Sequence, residues 1–268
     1  MSSRLQADGL TIGYQDVSVI DQLSVDIRDG ALTAIVGPNA CGKSTLLRGL
    51  ARLLKPAGGQ VILDGQDITT LHTKEVARRL GLLPQTSIAP EGITVADLVS
   101  RGRFPHQSAF RQWSRGDEAA VAEALRYTGV ADLAGRLVDE LSGGQRQRVW
   151  VAMVLAQQTS LILLDEPTTY LDIAHRVELL DLFSLLNREQ DRTVVAVLHD
   201  LNHACRYADQ IIAMKSGAVV AQGAPSDVIT EQLVESVYGL KCQIIDDPQT
   251  GTPLVVPRAS PHLTAQGR

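Results

Sequence analysis

Apolar residues along this chain follow two rhythms, and each predicts a different kind of element. Ala31-Leu-Thr-Ala-Ile-Val36, Leu161-Ile-Leu-Leu164 and Thr193-Val-Val-Ala-Val-Leu198 are short, nearly unbroken apolar runs. Such runs suit strands covered on both faces, as in a parallel sheet between helical layers. A residue with chemical potential closes each run: Gly37, Asp165 and His199. Open α/β sheets bind ligands beyond the carboxyl ends of their strands, so the three markers point to one edge of one sheet. The N-terminal part alternates instead. Leu10, Ile12 and Tyr14, then Leu23, Val25 and Ile27, recur at every second position, as half-exposed antiparallel strands do. Residues 211–214 and 218–221 flank Lys215-Ser-Gly217 and read as a hairpin. Between about 86 and 160 the pattern turns helical. Ser114-Arg-Gly-Asp117 has capping-box spacing, and Val121, Ala124, Leu125 and Thr128 follow at i, i+3, i+4 and i+7. Because this block lies between two core strands, it reads as an inserted helical subdomain.

The expected organisation is one α/β domain over residues 1–268 with a mainly parallel sheet. Its core spans 1–85 and 161–245 and includes an N-terminal antiparallel β subdomain. The helical insert spans 86–160 and a C-terminal tail 246–268. The tail carries Pro248, Pro253, Pro257 and Pro261 with few helix signals, so loose order is expected beyond about Pro257. Composition narrows the class further. Hydrophobic residues make up 44% and charged residues 21% of the 268, enough for a real core and too apolar for long disorder. The net charge of −5 argues against a nucleic-acid binder held by bulk charge. Cys41, Cys205 and Cys242 are odd in number and far apart, without a CxxC or Cys/His pair, which disfavours a disulfide framework and a structural zinc site. The first residues lack the apolar run of a secretory signal, and no apolar stretch is long enough to span a bilayer. A soluble protein of a reducing compartment is the expectation.

The chemistry starts at Gly37-Pro38-Asn39-Ala40-Cys41-Gly42-Lys43-Ser44-Thr45, which fits G-x-x-x-x-G-K-[ST] between a predicted strand and a predicted helix. Glycines let backbone N–H groups wrap phosphate oxygens, and the helix N-terminus adds partial positive charge. Lys43 can neutralise β/γ-phosphates, and Ser44 can ligate Mg²⁺. Downstream, Asp165 can hold the Mg²⁺ shell, and Glu166 is placed to take a proton from water. A third signal is Leu141-Ser142-Gly143-Gly144-Gln145 before a helical run. Ser-Gly-Gly at a helix start reads as a plain N-cap or as a second anion site. One γ-phosphate needs only one P-loop, so the second site invites a second chain.

Taken with Gln85, Leu171-Asp172 and His199, these motifs resemble, in the same order, the ATP-binding subunit of an ABC transporter over residues 5 to 245. The resemblance implies a P-loop NTPase core, ATP and Mg²⁺ as ligands, and ATP hydrolysis coupled to transport. It implies that Tyr14 stacks on adenine and that Gln85 touches Mg²⁺ or the attacking water and senses a transmembrane partner. His199 would contact the γ-phosphate, and Asp172 would cross a dimer interface. Ser142, Gly143, Gly144 and Gln145 would face the ATP held by a second copy. The implied assembly is a homodimer with two transmembrane permease subunits and, indirectly, a substrate-binding protein. It binds no nucleic acid and lies at the cytoplasmic side of the inner membrane, touching it only through the permease.

A closer resemblance rests on Arg101-Gly-Arg-Phe-Pro-His106, Gln147-Arg-Val-Trp-Val-Ala-Met153, Thr168-Thr-Tyr-Leu-Asp172 and His199-Asp-Leu-Asn-His-Ala-Cys-Arg-Tyr-Ala-Asp209. These segments look like the importer ATPases for ferric siderophores, with haem and vitamin B12 importer ATPases as the alternative. Non-transport ABC ATPases are a further class. Translation-type members usually carry two cassettes, against one here, and repair-type members insert a long coiled coil, for which no sustained heptads exist. A nucleotide-binding regulator without hydrolysis is opposed by Glu166 and His199. Ala40 stands where glycine is commoner in the family and must accept the loop's backbone angles. Cys41 at a helix start is either a reactive thiol or a small filler. His72, His106, His175, His203 and His262 lack metal-ligand spacing and read as surface or structural. Arg101, Arg103, Arg111 and Arg115 form a cluster that reads as a solvated face or a contact to membrane subunits or acidic headgroups.

Overall fold

The computed structural model describes residues 3–15, 17–85, 88–107, 113–169 and 171–258. Arg111, Pro261 and His262 lie outside them, as does the last stretch of the expected tail. The chain opens with two long strands, β1 (Ser3–Tyr14) and β2 (Val17–Arg28), then the buried β3 (Leu32–Val36), helix α1 (Lys43–Leu50), and strands β4 (Gly58–Leu63) and β5 (Gln66–Asp67). Helix α2 (Thr73–Arg79) leads into β6 (Leu80–Leu83). The helical stretch follows as α3 (Val95–Ser100), α4 (Arg115–Tyr127) and α5 (Gly143–Ala156). The chain then returns to β7 (Leu161–Asp165), α6 (Ile173–Gln190), β8 (Thr193–Val197), α7 (Leu201–Tyr207), β9 (Gln210–Lys215) and β10 (Ala218–Gly223). It closes with α8 (Pro225–Val228), α9 (Glu231–Tyr238), β11 (Cys242–Asp246) and β12 (Pro253–Pro257).

The alternating N-terminal strands form an antiparallel sheet in the order β2-β1-β4-β5. The unbroken apolar runs form the centre of a six-stranded sheet, β10-β9-β3-β8-β7-β6, parallel except for the edge strand β10. Their apolarity on both faces is explained by two cores. Ala34, Ile162, Leu164, Val194 and Ala196 point into the core shared with the helices. Ile35, Leu161, Leu163, Val195 and Val197 point into the core shared with α1 and the antiparallel sheet. The period-2 alternation of a strand therefore sorts one continuous run into two layers. The helical stretch shares the first of these cores with the sheet: Val121, Leu125, Val130 and Trp150 join Ile162 and Val194 in one cluster. The segment from 242 to 257 forms a two-stranded hairpin, with Ile244 opposite Val255. Among the described residues, no helix is long and apolar enough to cross a membrane.

Register explains why one sheet edge collects the chemistry. Ile35 pairs with Val197, and Val197 with Asp165. Leu83 pairs with Leu164 in the next ladder. Gly37, His199, Glu166 and Gln85 each lie within two residues of this row.

One member of the arginine cluster departs from the solvated reading. Arg103 is buried, and its guanidinium donates to Asp117 Oδ1 at 2.8 Å, to Ala156 O at 2.7 Å and to Gln158 Oε1 at 2.9 Å. It ties α4 to the C-terminal end of α5, while Arg101 and Arg115 remain exposed. The physical reason is its partner. Asp117 is the third residue of α4, and Ser114 caps that helix in the predicted capping box, so a buried carboxylate stands ready to satisfy a buried cation.

Hydrogen bonds from Ser114, reinforced by Arg103, hold the Asp117 carboxyl down at about 2 against an ordinary 3.8. A depressed carboxyl adds stability that is fully present above the unfolded value and is lost as pH falls through the folded one. Asp117→Asn is expected to lower the unfolding free energy by about 2 kcal/mol at neutral pH. The gap to wild type should close as pH drops from about 4 to about 2, read by urea unfolding at stepped pH.

Candidate active site

The loop between β3 and α1 is shaped by contacts that only glycine allows at its entry. A Cβ on Gly37 would fall 2.3 Å from Met214 O and 2.8 Å from Cys41 Sγ. Gly42, at φ +102, leads directly into α1 without a side-chain cap. The first-turn N–H groups of α1 therefore carry no side-chain acceptor and stay available to an anion. Ala40 does adopt the left-handed conformation, at φ 60, which costs an L-residue roughly 1–2 kcal/mol. The β9–β10 turn braces the loop from behind, Gly217 N donating to Cys41 O at 3.0 Å.

Lys43 is 5% exposed. Its ammonium donates to Gly37 O at 2.9 Å and Pro38 O at 2.8 Å. An ammonium has three donors, so one remains for an oxygen in the cleft. Ser44 Oγ donates to Asp165 Oδ1 at 2.7 Å. Asp165 is 1% exposed, and its Oδ2 accepts no hydrogen bond among the described residues, with Arg48 Nη2 at 3.7 Å. Burial pushes its carboxyl up, opposed by the Ser44 hydrogen bond and the Arg48 charge. Glu166 follows in the left-handed conformation, at φ 54. Its Oε1 pairs with His199 Nε2 at 2.7 Å, and its Oε2 accepts from Thr169 Oγ1 at 3.2 Å. Each oxygen retains a further lone pair.

A cleft of about 970 Å³ joins these groups, lined by Gly37, Lys43, Ser44, Gln85, Glu166 and His199 among others. Pro38, Asn39, Ala40, Gly42 and Thr45 complete its loop wall. The oxygen donors, a Ser44 hydroxyl, the Asp165 carboxylate with its unbonded buried oxygen and the Gln85 amide, suit a hard divalent cation such as Mg²⁺. A single carboxylate is what a cation completed by substrate phosphates needs.

Other sequence candidates lie elsewhere. Ser142 and Gln145 close a reciprocal capping box at the start of α5, away from the cleft-lining set. A Cβ on Gly143 would meet nothing within 4 Å, and one on Gly144 only Leu171 Cδ2 at 3.4 Å. Asp172 caps α6, accepting from His175 N at 2.9 Å, and is exposed. Tyr14 is 42% exposed at the end of β1, with its hydroxyl accepting from Arg48 Nη1 at 3.5 Å. Of the remaining histidines, His106 meets Gln157 O at 2.8 Å, and His175 and His203 pair with Asp172 and Asp200. The sequence did not single out three further wall residues, Val19, Thr169 and Tyr238. Thr169 sits three residues after Glu166, a spacing that could have flagged it. Tyr238 arrives from α9, and nothing local marks it.

Cys41 resolves toward the filler reading. It is 5% exposed, and burial pushes its thiol up, outweighing the nearby Lys43 charge. The helix start does not activate it because the side chain turns inward while only the backbone faces the anion site.

Residues 20–169 match the family model described as ABC transporter. The chain is 58% identical over 255 residues to the ferric enterobactin transport ATP-binding protein FepC of Escherichia coli (strain K12), covering 95% of this chain and 94% of that protein. The fold superposes with a TM-score of 0.82 and 29% identity on a metal-chelate type ABC transporter in an inward-facing conformation, over 97% of this chain and 98% of the other. A bacterial ABC transporter cassette solved as a dimer gives 0.74 at 28% identity, over 82% and 98%.

The buried thiol has a direct consequence. Iodoacetamide at neutral pH should leave Cys41 unmodified in the folded chain and alkylate it in urea, by peptide mass spectrometry. Rapid native labelling would show that the loop exposes the sulfur.

Proposed function

The chain belongs to the ABC transporter family of ATP-binding subunits, and from that premise we propose that it hydrolyses ATP to power uptake of an iron(III)–siderophore chelate across the cytoplasmic membrane. The observation that carries the hydrolytic reading is the pairing of Ser44–Asp165 and Glu166–His199 on one cleft wall, 2.7 Å each. The triphosphate lies along the loop, with backbone N–H groups from Asn39 to Thr45 and the spare Lys43 donor on its oxygens. Ser44, Asp165 and Gln85 would hold Mg²⁺, which would supply positive charge to the bound triphosphate. Glu166 takes the proton of the attacking water. His199 orients that carboxylate through their 2.7 Å pairing and reaches the γ-phosphate. Tyr14 offers its exposed ring to the base, a stacking contact tolerant of base identity.

The glycines of Ser142-Gly143-Gly144 support a second copy. Gly143 needs neither positive φ nor space within its own chain, so its missing side chain clears room for something outside. The first-turn N–H groups of α5 and exposed Asp172 fit the triphosphate and cleft of a facing protomer. The permease fits a separate groove of about 480 Å³ lined by Leu53, Val76, Leu82, Pro84 and Met153, next to Gln85. The assembly then sits on the cytoplasmic face of the membrane, held by the permease and fed by a substrate-binding protein. The siderophore cargo rests on the likeness to FepC and on the metal-chelate type transporter.

Glu166→Gln is expected to retain ATP binding, lose turnover by about 10²–10⁴-fold and accumulate an ATP-dependent dimer in size-exclusion chromatography. Normal phosphate release by that variant would remove Glu166 from the base role. For the cargo, proteoliposomes carrying the chain with its permease should import ferric siderophore on ATP addition, and not haem or cobalamin. Uptake of either of the latter instead would reassign it.

A further inference from the structure

His199 occupies a backbone position fixed from two sides. On the strand side, Leu198 N donates to Ile35 O at 3.1 Å. On the helix side, Asp200 caps α7, accepting from Asn202 N at 2.9 Å and His203 N at 3.1 Å. The placement of His199 therefore follows the placement of α7, a helix of only seven residues. One face of α7 is anchored in the core, where Ala204 and Cys205 are fully buried.

The other anchorage is the C-terminal hairpin. Asn202 and Arg206 lie one turn apart, at i and i+4, and share a face. Asn202 Nδ2 donates to Val255 O at 3.3 Å, and Asn202 Oδ1 accepts from Val255 N at 2.7 Å. One carboxamide thus satisfies both main-chain groups of a β12 residue, as a neighbouring strand would. Arg206 Nε and Nη2 both donate to Asp247 Oδ2, at 3.1 and 2.6 Å, and Asp247 is 5% exposed in the turn between β11 and β12. The backbone N–H of Gln249 and the Arg206 charge keep that carboxyl below the usual range. An unbroken series of contacts runs from the hairpin through Asn202 and Arg206 to α7, Asp200, His199 and Glu166.

We propose that the C-terminal hairpin positions His199 for hydrolysis, and that Asn202 is the positioning residue through which it acts. Neither Asn202 nor the hairpin lines the nucleotide cleft, so the effect falls on the orientation of the Glu166–His199 pair and not on ATP affinity. Small displacements of a reacting pair carry large rate penalties, which makes a stiff α7 useful to the reaction. The inference rests on the hydrolytic reading of Glu166 and His199.

The test uses the full chain. Asn202→Ala should lower kcat for phosphate release about tenfold with KM for ATP within about twofold. It should also shift the His199 imidazole resonance, assigned by loss in His199→Gln. Asp247→Asn loosens the same face from the hairpin side and should give the same split with a smaller drop, which keeps the test open if Asn202→Ala folds poorly. Asn202→Asp keeps the acceptor for Val255 N and loses the donor, so its kcat should fall between wild type and Asn202→Ala. Wild-type kcat in both Asn202→Ala and Asp247→Asn overturns the proposal. So does a loss of kcat with an unmoved His199 resonance and a lowered thermal midpoint, since that is simple destabilisation. Glu166→Gln run in parallel separates the two failures: if it still hydrolyses ATP, the hydrolytic reading itself falls.

Discussion

A parallel strand buried on both faces can offer chemistry only at its ends, and that constraint organises this molecule. The apolar side chains of β3, β7 and β8 are all committed to two cores. The polar groups that leave the sheet must do so where the strands stop. Because Ile35, Val197 and Asp165 share one row, the stops coincide, and the anion loop, the Ser44–Asp165 bond and the Glu166–His199 pair arise within a few residues of each other. No long-range search brings them together once the register is set. A one-residue slip of β7 would exchange its two buried faces and carry Asp165 away from Ser44, so core packing and site assembly are enforced by the same register.

Some strain falls at the same edge. Ala40 and Glu166 both sit at positive φ, and Asp165 holds a buried oxygen without a hydrogen bond among the described residues. Each would cost stability at an ordinary position. Here each serves geometry: Ala40 turns the loop so that its N–H groups converge, and Glu166 turns off the strand end toward His199. The two-sided core offsets these costs.

Polar side chains do the long-range fastening that apolar packing leaves unspecified. Arg103 bolts α4 to α5 through Asp117 and the carbonyl of Ala156. Asn202 and Arg206 bolt the hairpin to α7. Arg103 reaches 53 residues along the chain to Ala156, and Asn202 reaches 53 to Val255, so both contacts join parts that sequence proximity does not.

By itself the sequence determined the sheet, the two rhythms of its strands, the capped α4 and the phosphate loop with Asp165 and Glu166. These are local signals: a period of two, a capping pair three residues apart, glycines where a backbone must approach another group. The same locality explains what it could not decide. Arg103 reads as one more solvated or contact arginine until Asp117 is folded over it, and Cys41 reads as either a reactive thiol or a small filler until its side chain is seen to turn inward. Thr169 and Tyr238 reach the cleft without any periodic mark. The hairpin at 242–257 lies among prolines that suggest only a tail, and its anchorage rests on Arg206 meeting Asp247 and on Asn202 matching the edge of a strand some fifty residues later. Which polar group meets which is fixed by distance in space, and no pattern along the chain encodes that distance.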